Sequence, residues 1–180
     1  MWVSFLAYWR AVATNVKTTE RLEAALSRLT RIVLILCAIA LLWLPIVPLP
    51  TLLSLRVLPL GAVWFWSGAA VTTGGLLVAV CARRHLGRNW SQAVTVKEGH
   101  ELITSGPYAL VRHPIYTGVL LGFTGSAMGR GELRGLLALA IVLGAYWYKL
   151  RLEEKWMRAH FGEQYESYSR RVAALVPYLI

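Results

Sequence analysis

Residues Ile32 to Leu49 read IVLILCAIALLWLPIVPL, eighteen positions without a charge. A helix needs about 20 predominantly apolar residues to cross the hydrocarbon core of a bilayer, so this stretch predicts a membrane span. Pro45, Pro48 and Pro50 crowd its far end, where a missing N–H and a ring clash end or kink a helix. A second apolar run extends from about Leu58 to Val80 and is closed by Arg83, Arg84 and His85. A third begins at Pro114 and reaches about Gly129, and a fourth runs from about Leu136 to Tyr148. The short GRGELRG connection between these two predicts a helical hairpin. Gly118, Gly122 and Ser126, four residues apart, form a stripe of small residues that permits close approach to a neighbouring helix.

The composition agrees with this reading. Of 180 residues 57% are hydrophobic and only 16% charged, too apolar a balance for an ordinary soluble domain. Four spans leave little chain for anything else, so residues 1–180 are expected to form one integral membrane domain. Met1 to Trp9 has no basic stretch, and a cleaved signal peptide is not expected. Cys37 and Cys81 sit inside apolar runs, without disulfide or metal-ligand spacing. The net charge of +10 marks a membrane face on so apolar a chain, rather than a nucleic-acid surface. With Arg10 left unassigned, fifteen basic residues fall before the first span, between the second and third, and after the fourth; only Arg56, Arg130 and Arg134 fall on the opposite side. That bias predicts cytoplasmic termini and a cytoplasmic polar stretch at about Arg83 to Arg112.

Trp2 to Val16 leaves two readings open. It is apolar but interrupted by Arg10 and about fifteen residues long, which favours an interfacial helix over a short fifth span. After the fourth span the helix is expected to continue through RLEEKWMRAHF as a cytosolic C-terminal helix at or beyond the membrane surface. The fold class is therefore all-α: a polytopic helical membrane protein of four spans, with a possible fifth.

Two polar clusters hold the residues able to carry chemistry: GHELITSGPYALVRHPIYTG, Gly99 to Gly118, and KLRLEEKWMRAHFGEQYESY, Lys149 to Tyr168. In Arg112-His113-Pro114-Ile115-Tyr116, proline suits the first helical position, and arginine and tyrosine suit a membrane boundary. The same segment, with His100, Glu101 and Tyr108 close by, also sets polar groups beside a helix N-terminus suited to a carboxylate or phosphate. Lys149–Glu153 and Glu154–Arg158 have the four-residue spacing of helix-surface ion pairs; a carboxylate there equally suits a ribose or an ammonium group. Phe161, Tyr165 and Tyr168 are interfacial aromatics or the walls of an adenine pocket. No GxSxG, HExxH, Walker loop or GxGxxG is present, and four His and two Cys at these spacings do not build a zinc site. The residues by themselves support a polar cytoplasmic site on a helical membrane protein, an enzyme or a scaffold or transporter.

LGRNWS at Leu86 to Ser91, HELITSGPYALVRHPIYTG at His100 to Gly118, and EEKWMRAHFGEQYESYSRRV at Glu153 to Val172, closing with Pro177, resemble the isoprenylcysteine carboxyl methyltransferase family and its broader phospholipid-methyltransferase relatives. The resemblance covers residues 86–177, the motif-bearing half. It implies methyl transfer from S-adenosylmethionine to a lipophilic acceptor, foremost the α-carboxylate of an isoprenylcysteine-like substrate, with a lipid amine or small thiol as alternatives. It implies cofactor contacts at Thr95, His100, Glu101, Leu102, Ile103, Tyr108, His113, Pro114, Ile115, Tyr116 and Glu153. Lys149 falls where relatives carry an arginine associated with the substrate. Lysine lacks arginine's bidentate fork, and Arg151 is the alternative. No metal and no nucleic acid is implied; the partners are a prenyl- or lipid-like substrate and membrane lipid.

Overall fold

The computed structural model describes residues 1–12, 19–22, 24–43, 52–87, 95–97 and 102–179, the segments 19–22 and 95–97 as backbone only. Among the described residues six helices and two short strands follow in order: α1 (Trp2–Val12), β1 (Thr19–Leu22), α2 (Ala25–Trp43), α3 (Ala62–Leu86), β2 (Thr95–Lys97), α4 (Pro114–Arg130), α5 (Leu133–Phe161) and α6 (Glu163–Arg171). A 3₁₀ turn at Gly106–Ala109 precedes α4. The strands pair antiparallel, Thr19 opposite Lys97 and Leu22 opposite Thr95. This small sheet modifies the all-α expectation, because backbone pairing between remote segments has no hydropathy signature.

Among the described residues α2, α3 and α5 are long and apolar enough to cross a membrane, and the chain is an integral membrane protein. Their outward faces carry Leu29, Val33, Leu36, Phe65, Trp66, Leu77, Leu136, Leu143 and Trp147, all more than a third exposed, as contact with hydrocarbon requires. The first apolar run was expected to open at Ile32, yet α2 opens at Ala25 and takes in Arg28 and Arg31. Arg83, Arg84 and His85, expected to stop the second span, form the last turn of α3, where cations complement the helix dipole. Arg83 is buried, donating to the carbonyls of Gly87 at 2.8 Å and Val12 at 2.9 Å. Pro45, Pro48 and Pro50 lie outside the described residues.

α4 starts at Pro114, as its sequence predicts, and ends at Arg130, capped by Gly131, whose φ of 67° suits a residue without Cβ. α5 is one helix of 29 residues, about 43 Å at 1.5 Å per residue. It passes the apolar run and continues through Glu153, Glu154 and Trp156 before Gly162 turns the chain into α6.

The small-residue stripe makes the α3–α4 contact. A Cβ on Gly75 would stand 2.6 Å from the carbonyl oxygen of Gly118, and one on Gly68 2.5 Å from that of Gly125. Gly125, rather than Ser126, continues the backbone approach. Ser126 instead accepts a hydrogen bond from the Trp2 indole at 3.0 Å, and Trp2 sits against Gly122 and edge-on to Phe123. Thus the described α1, eleven residues and about 16 Å long, packs on the bundle through Trp2 in its first turn and through the Val12 carbonyl at its end. The core lies between α2, α3, α4 and α5, where Ala38, Leu42, Ala79, Val119, Phe123, Ala138 and Val142 are buried together.

Candidate functional site

The site is built where three chain segments meet at one end of this bundle. The first is the approach to α4. Gly106 has φ of 58°, and a Cβ there would come within 2.7 Å of the His85 ring, so only glycine lets the turn close over α3. The turn buries Tyr108, whose carbonyl accepts a hydrogen bond of 2.6 Å from the Tyr168 hydroxyl. His85 Nε2 pairs with Ser105 Oγ at 2.9 Å and steadies the same turn.

The second segment is Arg112-His113-Pro114. The Arg112 guanidinium reaches Glu154 on α5, with Nε at 2.9 Å and Nη2 at 2.6 Å from Oε1. His113 lies between the two adjacent glutamates of α5: Nδ1 is 3.6 Å from Glu153 Oε2, and Nε2 is 3.5 Å from Glu154 Oε1. These separations are long for hydrogen bonds but within ion-pair reach, and the buried Nε2 has no hydrogen-bond partner. Burial by itself lowers the imidazole pKa, but Glu153 and Glu154 outweigh it and hold His113 above its ordinary value. The His113 ring stacks parallel to Tyr116, centroids 5.3 Å apart, and Tyr116 stacks in turn on Tyr146 at 4.9 Å.

The third segment is the C-terminal strap. The amides of Arg112 and His113 donate to the carbonyls of Ala173 and Ala174 at 2.8 and 3.0 Å, and Thr117 Oγ1 donates to Leu175 O at 2.7 Å. The strap holds α6 so that Tyr165 and Tyr168 are buried against the site. Burial pushes the Tyr108 and Tyr165 hydroxyls far above the usual phenol range. Burial also raises Tyr168 to about 12, against the pull of Arg112. All three stay neutral at physiological pH and can donate hydrogen bonds.

Together these segments wall one cavity of about 850 Å³. Its polar end is lined by Tyr108, Arg112, His113, Glu153, Tyr165 and Tyr168, its apolar arm by Trp2, Phe5, Ile35, Ile39, Val119 and Phe123. Leu102, Ile103, Ile115, Tyr116 and Lys149 line it as well. The neighbouring glutamates divide: Glu153 faces the cavity, whereas Glu154 is buried behind it, held by Arg112 and, at 3.3 Å, Arg158. Lys149 is buried, 3.7 Å from Glu153 and over the Tyr116 ring at 5.0 Å. Arg151 is exposed, stacks over Trp147 at 4.9 Å and does not line the cavity; two positions along a helix, about 200° of rotation, separate it from Lys149. Pro114 is fully buried as the first residue of α4 and is not part of the wall. His100 and Glu101 lie outside the described residues, and Thr95 lies in β2, described as backbone only.

Three wall elements escape motif reading. Arg112 looks like a boundary arginine, Arg31 like a topology signal, and α1 like a surface helix, yet all line the cavity. Spacing does mark α1: Trp2, Phe5, Leu6 and Trp9 recur at three- and four-residue intervals. Among the described residues no group of three or more His, Cys, Asp or Glu is placed to hold a metal ion.

Residues 63–164, more than half of the chain, match the phospholipid methyltransferase (PEMT) family. A probable protein-S-isoprenylcysteine O-methyltransferase of Oryza sativa subsp. indica is 30% identical over 121 residues, 64% of this chain and 63% of the relative. Methanethiol S-methyltransferase 2 of Bradyrhizobium diazoefficiens is 45% identical over 74 residues, 40% of this chain and 27% of the relative. The chain thus spans less than two thirds of either relative's length. A solved structure of the eukaryotic intramembrane Ras methyltransferase ICMT superposes with a TM-score of 0.54 at 22% identity, covering 86% of this chain and 52% of that one; the likeness is one of fold. With its family match running from the start of α3 into α6 and its helices arranged as in that fold, the chain belongs to the phospholipid methyltransferase family.

Proposed function

We propose that this protein transfers a methyl group from S-adenosylmethionine to the ionised carboxylate of a lipid-tailed acceptor of the isoprenylcysteine type. The observation that carries the reading is the continuity of the cavity: a polar end able to take a nucleoside and an apolar arm able to take a hydrocarbon chain share one space of about 850 Å³, within the usual span of ligand pockets of roughly 300–1,000 Å³.

The polar end fits the cofactor's functional groups. Tyr165 Oη is a buried polar atom without a hydrogen-bond partner, and Tyr165 lines the cavity; such an atom is costly unless a ligand satisfies it. Glu153 is the carboxylate for an ammonium group. The first-turn amides of α4, at Ile115 and Tyr116, have no partner within the helix and suit a carboxylate. Tyr108 and Tyr168, with Leu102 and Ile103, supply flat and apolar surface for an adenine. The cofactor, when bound, supplies an already activated methyl group.

A carboxylate acceptor is ionised at neutral pH and needs placement more than a base. The site is built accordingly. His113, clasped by two glutamates, keeps its proton over a wider pH range than a free imidazole. Lys149 is the cation of α5 that faces the acceptor, and Arg151, outside the wall, is not. The apolar arm draws the tail from the bilayer, each buried CH₂ contributing about 0.8 kcal/mol. The thiol reading keeps one support, the local likeness to a methanethiol S-methyltransferase.

The same reading makes α4, 17 residues long, a fourth crossing, and puts the polar end of the cavity, both termini and the end of α5 with α6 on the cytoplasmic side, as the basic-residue bias requires. Residues 1–180 then act as one catalytic domain, with 86–177 bearing its motifs. Detergent-purified protein should bind S-adenosylhomocysteine with micromolar affinity by calorimetry, and should transfer radiolabel from the cofactor to a prenylcysteine analogue as a base-labile ester. Absence of saturable binding at millimolar ligand would leave a scaffold or transporter; a base-stable product would point to sulfur or nitrogen.

A further inference from the structure

The inward stripe of α2 is Arg31, Ile35, Ala38, Ile39 and Leu42, at three- and four-residue spacing. Ala38 and Leu42 are buried in the core and Ile39 packs against it, so the stripe's first position is one where an apolar residue is expected. Arginine stands there instead, only 7% exposed, while its neighbours Thr30 and Ile32 are exposed. A buried cation on a membrane helix is costly and is retained for function or pairing.

Arg31 lines the cavity. Ile35 and Ile39 of the same helix line it too, as do Tyr116 and Tyr146, the stacked rings that continue from His113. Lys149 lines the same space from α5, the helix against which α2 packs. The ammonium of Lys149 is shared with Glu153 and the Tyr116 ring. A guanidinium offers what lysine does not, a planar pair of donors matched to the two oxygens of a carboxylate. Arg28, one turn earlier, lines the cavity from an exposed position and adds to its positive field.

We infer that Arg31 is the specificity-determining residue for the acceptor's anionic head: it receives the carboxylate at the mouth of the apolar arm, opposite Lys149, and so selects acids over neutral or cationic lipids. The inference rests on the methyl-transfer reading and adds a residue from α2, outside the segment that carries the family match.

The test compares N-acetyl-S-farnesylcysteine with its carboxamide as competing ligands, for wild type, Arg31→Met and Arg31→Lys, alongside S-adenosylhomocysteine binding. Methionine keeps the stripe apolar and removes the charge, while lysine keeps the charge without the fork. Wild type should prefer the acid at least tenfold, Arg31→Met should bind acid and amide within about twofold of each other, and Arg31→Lys should fall between. Cofactor affinity should stay within about threefold in all three. An undiminished preference in Arg31→Met overturns the role, as does a wild type that does not distinguish acid from amide. Parallel loss of cofactor affinity and of thermal stability in both variants would make Arg31 structural and also overturn it. Failure of the methyl-transfer reading looks different: wild type itself then neither binds S-adenosylhomocysteine nor forms labelled ester.

Discussion

Arg112 Nη2 stands 2.6 Å from Glu154 Oε1, a contact between the entry to α4 and the extension of α5 across 42 positions of sequence. The same guanidinium donates through Nη1 to the carbonyls of Ser169 and Val172 at the end of α6. One side chain thus joins the entry to α4, the extension of α5 and the end of α6, and the catalytic reading depends on their staying together.

Removing that joint should loosen the site before it unfolds the bundle. Breaking a buried pair by deleting one partner costs about 3–5 kcal/mol. Arg112→Ala should lower the melting temperature in detergent and raise proteolysis near residue 172, and Arg112→Lys should recover only part of the loss. A melting temperature equal to wild type would show that the strap is held otherwise.

The two glutamates should separate by measurement. Glu153 faces the cavity and Glu154 is buried behind it. Glu153→Gln is expected to weaken S-adenosylhomocysteine binding about tenfold with little thermal effect, whereas Glu154→Gln should lower stability and spare much of the affinity. Identical behaviour of the two would dissolve the distinction.

His113 predicts a pH dependence. Its folded pKa is raised above the ordinary imidazole value of about 6.5. Its contribution to stability is therefore fully present below about pH 6.5 and is lost as pH rises through the folded pKa. The difference in melting temperature between wild type and His113→Asn should be larger at pH 6 than at pH 9. A difference that grows with pH would reverse the assignment.

Lys149 and Arg151 should differ in the same way as their surroundings. Lys149→Ala should raise acceptor KM or lower kcat while leaving cofactor affinity within about threefold, and Arg151→Ala should change neither. Loss of acceptor kinetics on replacing Arg151 alone would transfer the role.

The α3–α4 contact can be tested by adding one methyl group. A Cβ on Gly118 would lie 2.5 Å from the carbonyl oxygen of Gly75, whereas one on Gly74 meets nothing within 4 Å. Gly118→Ala should destabilise by about 1–3 kcal/mol through overpacking; Gly74→Ala should be neutral or gain up to about 1 kcal/mol of helix propensity. Equal thermal stability of the two variants would mean that the helices can part without cost.

What the amino-acid order determined alone is what depends on local sums. An uncharged run such as Ile32 to Trp43 partitions into hydrocarbon whatever surrounds it, and Pro114 can begin a helix but not continue one. The continuation of α5 past its apolar run was legible because nothing between Tyr148 and Phe161 breaks a helix. The ion pairs Lys149–Glu153 and Glu154–Arg158 were legible from their spacing, though not that Arg112 is the nearer partner of Glu154. Tertiary structure alone decided which charges turn inward. Arg31, Arg83 and Arg112 count equally with exposed arginines in a charge tally, but the first two are buried and the third is largely covered, because helix rotation and partners come from packing among remote segments. The cavity belongs to that second class: its walls come from both ends of the chain, and no local pattern encodes the space between them.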